Sequence, residues 1–91
     1  METSLLALYV LREMTIANRF GDRLTLESLS QRIGVRKEDI RGVVTKLDGE
    51  DYVDALRMRL TLAGFAVGQS LTKCGLKDLR KKSEELQLLA A

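Results

Sequence analysis

A chain of 91 residues has room for one hydrophobic core, because a second would leave each half too little apolar surface to offset its chain entropy. With 45% hydrophobic and 31% charged residues it belongs with ordinary globular proteins rather than disordered or fibrous ones. The absence of histidine and the single cysteine, Cys74, argue against an internal disulfide, the usual zinc clusters and histidine-driven catalysis, and a formal charge of +2 is too small to name a polyanion partner.

No apolar run approaches the roughly 20 residues of a bilayer span, and Met1-Glu2-Thr3-Ser4 lacks a basic signal region, so the expected location is the cytoplasm. The first predicted element is a helix from Ser4 to about Phe20, capped by Thr3 or Ser4. Leu5, Leu6, Ala7, Leu8, Tyr9, Val10, Leu11 and Met14 make its first half apolar on nearly every side, where a surface helix shows one stripe. Two coverings satisfy that pattern: neighbouring helices of the same domain, or a partner subunit.

Gly21-Asp22 breaks the helix, and Arg23-Leu24-Thr25 reads as one extended segment before Thr25 caps a second helix from Leu26 to Ile33. Gly34 supplies the left-handed backbone of a sharp helix end, and Val35-Arg36 leads to a third helix over Lys37 to Leu47. In that helix Ile40, Val43, Val44 and Leu47 fall at i, i+3, i+4 and i+7 and form one buried stripe. After Gly49, the segments Tyr52-Val53-Asp54-Ala55 and Met58-Arg59-Leu60-Thr61 read as a small hairpin turning across Leu56-Arg57.

Thr61 caps a fourth helix from Leu62, which offers Phe65, Ala66, Val67 and Leu71 for burial; Gly64 and Gly68, four apart, suit a close helix approach. Gly75 is the credible hinge. Leu76, Leu79, Leu86 and Leu89 then recur at helical spacing in a last amphipathic helix. Residues 1–75 form one domain and 76–91 a dimerisation element, so a homodimer through the first and last helices is expected.

Charge is unevenly placed. Between Arg32 and Lys46 lie five bases (Arg32, Arg36, Lys37, Arg41, Lys46) against Glu38 and Asp39. Five more bases between Lys73 and Lys82 face Asp78 alone; they read first as a solvated face and second as non-specific phosphate contacts. Cys74 beside Lys73 reads by default as buried or incidental, the alternative being a redox-sensing thiol.

The span Leu26 to Thr45 meets the physical demands of two helices crossing at a turn: Leu29 apolar, Ser30 small at the crossing, Ile33 apolar, Gly34 in the turn, Val35 beneath it, and Ile40 and Val43 anchoring the second helix. With Tyr52-Val53 and the exit Leu60-Thr61-Leu62-Ala63-Gly64, this order resembles the winged helix-turn-helix transcription regulators, in the broad sense that includes the multiple-antibiotic-resistance regulator type. The resemblance runs from about Leu24 to Gly68. It implies a mainly α fold with a small β-hairpin wing and an additional C-terminal helix. It also implies a third helix lying in the major groove of double-stranded DNA.

By that resemblance Arg36, Lys37, Arg41, Gly42, Thr45 and Lys46 face DNA, with Arg57 and Arg59 reaching from the wing. Arg41 is the base-reading candidate, since a guanidinium bonds both acceptors of a guanine edge; Arg36, Lys37 and Lys46 hold phosphates. Glu38 and Asp39 occupy sites where the family commonly has hydroxyl residues, and Asp51 stands where a glycine is usual, which moves the expected turn to Gly49. The alternative function is a winged-helix protein-interaction module without DNA binding. Catalysis, cofactor, metal and membrane are not expected, and the residues name no small-molecule effector.

Overall fold

The computed structural model describes residues 3–90; of these, the side chains of 76 and 86–90 lie outside the described residues. Five helices and one hairpin follow in order: α1 (Thr3–Arg19), α2 (Leu26–Ile33), α3 (Lys37–Gly49), β1 (Val53–Asp54), β2 (Arg59–Leu60), α4 (Leu62–Leu71) and α5 (Leu76–Ala90). The fold is mainly helical with a two-stranded antiparallel hairpin. No helix among the described residues is long and apolar enough to cross a membrane.

α1 is the central element. Its buried residues Leu5, Leu6, Leu8, Val10, Leu11, Met14, Thr15 and Ala17 are spread around the helix, and α2, α3, α4, α5 and β2 all pack against it. Of the two coverings open to so apolar a helix, neighbours within the same chain provide this one. Its cluster continues into Leu29 of α2, the stripe Ile40, Val43, Val44 and Leu47 of α3, Val53, Leu71 and Leu79. Burial of Leu79 joins α5 to the same core. The expected roles of Leu76, Leu86 and Leu89 fall on side chains outside the described residues.

Local chemistry fixes the boundaries. Thr25 accepts the Ser28 amide while Ser28 Oγ accepts the Thr25 amide at 2.8 Å, a reciprocal cap in which serine takes the place that glutamate more often fills. Thr61 Oγ1 accepts the Gly64 amide and donates to Asp51 O at 2.6 Å, so one hydroxyl both starts α4 and ties it to the end of α3.

Several details depart from the expectations. α3 runs two residues beyond Leu47, and the turn that closes it is made by Asp51, not Gly49. Asp51 takes φ +68°, its amide donates to Asp48 O, and the Tyr52 amide reaches back to Leu47 O at 2.9 Å. This is a Schellman closure with aspartate in the place glycine usually holds. The hairpin is also shorter than read: Val53 pairs with Leu60 and Asp54 with Arg59, leaving Ala55 to Met58 as the loop, with Met58 at φ +51°. The Arg23-Leu24-Thr25 segment, with Thr25 extended at φ −120° and ψ 168° as expected, makes no strand pairing. In α4, Leu71 is buried and Phe65 and Val67 are half-buried, whereas Ala66 is exposed.

The inner face of α4 is instead made by its glycines. A Cβ on Gly68 would lie 1.8 Å from Thr15 Oγ1, and one on Gly64 would lie 1.8 Å from the carbonyl oxygen of Tyr52. The first contact seats α4 on α1; the second seats it on the hairpin's entry. Thr15 itself donates to Leu11 O at 2.7 Å, so its buried hydroxyl is satisfied and held against Gly68.

Two expected outcomes follow. Gly68→Ala should destabilise by about 1–3 kcal/mol through overpacking, and Thr15→Ala in the same chain should recover part of that loss, both read from denaturant midpoints. Asp51→Gly should raise stability by roughly 0.5–1 kcal/mol by relieving a left-handed non-glycine residue; an unchanged or lower Tm would contradict the closure described.

Candidate nucleic-acid interface

The turn between α2 and α3 sets the site. Gly34 takes φ +83°, and its amide and that of Val35 both donate to Ser30 O, at 2.8 and 3.3 Å. Ser30 Oγ donates to the Val35 carbonyl, so one small residue closes the turn from both sides. No atom lies within 4 Å of a Cβ built on Gly34; what its position demands is the backbone angle, not the space.

With Leu29, Ile40, Val43, Val44 and Leu47 buried, the opposite face of α3 stands in solvent. Arg36, Lys37, Arg41, Gly42, Thr45 and Lys46 are all exposed. Arg36 Nε lies 3.5 Å from Asp39 Oδ2, so this cation is partly neutralised. Among the described residues Lys37, Arg41 and Lys46 make no ion pair. Glu38 and Asp39 sit in the first turn of α3, where carboxylates favour the exposed amides of a helix start, and this accounts for acids at these sites.

The hairpin arginines are placed differently. Asp48 Oδ1 accepts the Ala55 amide at 3.2 Å, fixing the hairpin to the end of α3. Arg57 Nε lies 3.9 Å from Asp54 Oδ2, and its amide also donates to Asp54. Both Arg57 and Arg59 line a groove of about 1080 Å³ between the hairpin and the connection from α1 to α2, whereas the exposed α3 residues do not. The six α3 positions are therefore gathered on one helix, and the two hairpin positions open onto a second surface.

A polar network steadies the support beneath α3. Arg32 of α2 lies 3.3 Å from Asp22 and 3.9 Å from Glu13 of α1; Glu13 also meets Arg12 at 2.9 Å. Arg12 Nε in turn donates to Cys74 O at 2.9 Å, holding the turn into α5. Arg32, counted in the sequence among the bases near the site, thus acts in the scaffold. Cys74 is half-buried with its Sγ 3.7 Å from Ser70 O.

Arg23 went unnoticed in the sequence as a surface group. It is exposed and lines the groove with Arg57 and Arg59, a convergence of the connection with the hairpin that no local pattern encodes. Among the described residues no group of His, Cys, Asp and Glu could hold a metal ion. Comparison with protein-family models, with curated proteins and with solved structures returns no match.

Gly42 lies mid-helix with nothing within 4 Å of a built Cβ, so neither space nor backbone angle requires glycine there. Gly42→Ala should therefore stabilise by about 1 kcal/mol, seen as a higher denaturant midpoint at constant slope. A destabilised variant would show that the α3 face is not open as described.

Proposed function

We propose that the protein is a winged helix-turn-helix regulator that binds double-stranded DNA sequence-specifically, with α3 in the major groove. The observation that supports this reading most is the outer face of α3, where Lys37, Arg41 and Lys46 stand exposed without ion pairs among the described residues while the opposite stripe is wholly buried. A helix so presented has the shape the major groove admits, and its cations have phosphates or base edges as natural partners.

Arg41 reads a guanine edge through its guanidinium, Lys37 and Lys46 bind phosphates, and Thr45 and the bare backbone at Gly42 let the helix approach closely. Arg57 and Arg59 reach DNA from the hairpin. The protein acts as a homodimer whose two α3 helices meet half-sites about 34 Å apart. The pairing is through the first and last helices, although most apolar residues of α1 and Leu79 of α5 are buried within the chain's own core. The reading involves no chemical step.

A second reading, a protein-interaction module on the same fold, is favoured by two observations: Glu38 is exposed among the cations of α3, and both hairpin arginines line the groove away from that face. Fold alone does not choose between the two.

Fluorescence anisotropy against random duplex at low salt, followed by selection from a random oligonucleotide pool, separates them. Expected are binding that weakens steeply with salt, a selected motif whose discrimination at one base pair falls by about 1–3 kcal/mol in Arg41→Ala, and uniform weakening in Lys46→Ala. Absence of duplex binding by the folded protein at tens of micromolar, a range in which non-specific binders are already engaged, would reject DNA in favour of the interaction module.

A further inference from the structure

The groove between the hairpin and the α1–α2 connection is a surface that α3 itself does not line, although two of its arginines, Arg57 and Arg59, are also the hairpin residues of the proposed DNA contact. Its floor includes Met14 and Ala17 of α1, its walls Leu24 on one side and Leu60 and Phe65 on the other. Two large apolar residues on its rim are almost fully exposed, Leu56 at 93% and Leu62 at 90%. Isolated exposed leucines are unremarkable, but two bordering one groove set apolar surface beside its arginines and polar groups.

The hairpin also offers backbone groups there. The Thr61 amide donates to Tyr52 O, so the pairs Tyr52/Thr61 and Asp54/Arg59 carry the ladder bonds. In an antiparallel ladder the intervening pair, Val53/Leu60, then points its amide and carbonyl groups outward. Leu60, which lines the groove, thus presents one N–H and one C=O along the free edge of β2, and the Arg23-Leu24-Thr25 segment that also lines it makes no strand pairing.

Charge chooses the occupant. Arg23, Arg57 and Arg59 line the groove, Arg57 with Asp54 at 3.9 Å beside it, and the one acid among the lining residues, Asp22, is already engaged by Arg32 at 3.3 Å. We infer that this groove binds an acidic, apolar, extended peptide segment of another protein, which adds to the free edge of β2 at Leu60 and sets its carboxylates against the three arginines. Only one residue of β2 offers outward-facing backbone groups, so apolar contact with Leu56, Leu62 and Phe65 and charge pairing with Arg23 carry most of the recognition. The site shares Arg57 and Arg59 with the hairpin part of the proposed DNA surface and no residue with α3.

The test uses the full chain and a fluorescein-labelled short peptide alternating glutamate and valine, followed by anisotropy. Saturable binding is expected, at least about tenfold weaker for the peptide with lysine in place of glutamate, with serine in place of valine, or with alternate amides N-methylated. Arg23→Glu and Leu62→Gln, both at exposed positions and checked for folding by circular dichroism, should weaken the parent peptide similarly. Arg41→Ala should leave it unchanged whether or not the protein binds DNA. The inference is overturned if the parent peptide does not saturate, if the N-methylated peptide binds equally, or if Arg23→Glu and Leu62→Gln leave affinity intact.

Discussion

Two amides, those of Gly34 and Val35, converge on the single carbonyl of Ser30, and the hydroxyl of the same serine closes onto the Val35 carbonyl. This shared acceptor fixes where α2 stops and in which direction α3 starts. Because Leu29 and Ile40 are both fully buried on the two sides of that turn, the angle it sets decides which face of α3 meets the core. Had the turn opened by one residue, the stripe of Ile40, Val43, Val44 and Leu47 would rotate toward water and the cations toward α1. The cationic face is therefore a consequence of a backbone bond pattern as much as of the lysines and arginines themselves.

α1 is the other half of that constraint. A helix apolar around most of its circumference must be enclosed, and here α2, α3, α4 and α5 all pack on it. The enclosure is tight where α4 crosses, since Gly68 leaves no space for a methyl group above Thr15. Close packing of this kind transmits position: the same α4 that rests on α1 also rests, through Gly64, on the carbonyl of Tyr52, and Tyr52 closes the end of α3. The hairpin and α3 are thus held in register with the core by main-chain contacts, with few long side chains involved.

Much of this was legible in the residues. The stripe in α3, the glycine turn, the threonine caps and the start of α4 rest on local rules of periodicity and backbone angle, and those rules were obeyed at Ile40, Gly34, Thr25 and Thr61. The turn after α3 was misread because glycine is the usual left-handed residue, yet aspartate reaches the same angle at modest strain, and the register of Tyr52 against Leu47 decided for Asp51 over Gly49. The exposed ring of candidate residues on α3 was readable since it is the complement of the stripe. The separation of Arg57 and Arg59 from that ring was not, because it depends on which side of the hairpin faces the α1–α2 connection, a long-range packing outcome. Nor did any spacing reveal that Arg32 is held by Asp22 and Glu13 and serves the scaffold.

The acids at the start of α3 illustrate how one side chain answers two demands. Asp39 stabilises the helix start and holds Arg36, so the net charge it removes from the face comes from the most N-terminal cation and leaves Lys37, Arg41 and Lys46 unopposed by ion pairs among the described residues. Glu38 makes no such pair among the described residues and is exposed. A polyanion approaching this helix would meet attraction along the flanks of Arg41 and Lys46 and repulsion at Glu38, which restricts the poses that satisfy all three. Electrostatics of mixed sign on a rigid helix weakens binding to an arbitrary phosphate surface and favours a partner whose donors meet the carboxylate, such as the amino edge of cytosine. The modest total charge of the chain is then consistent with selective contact, in which the arrangement of a few groups matters more than their sum.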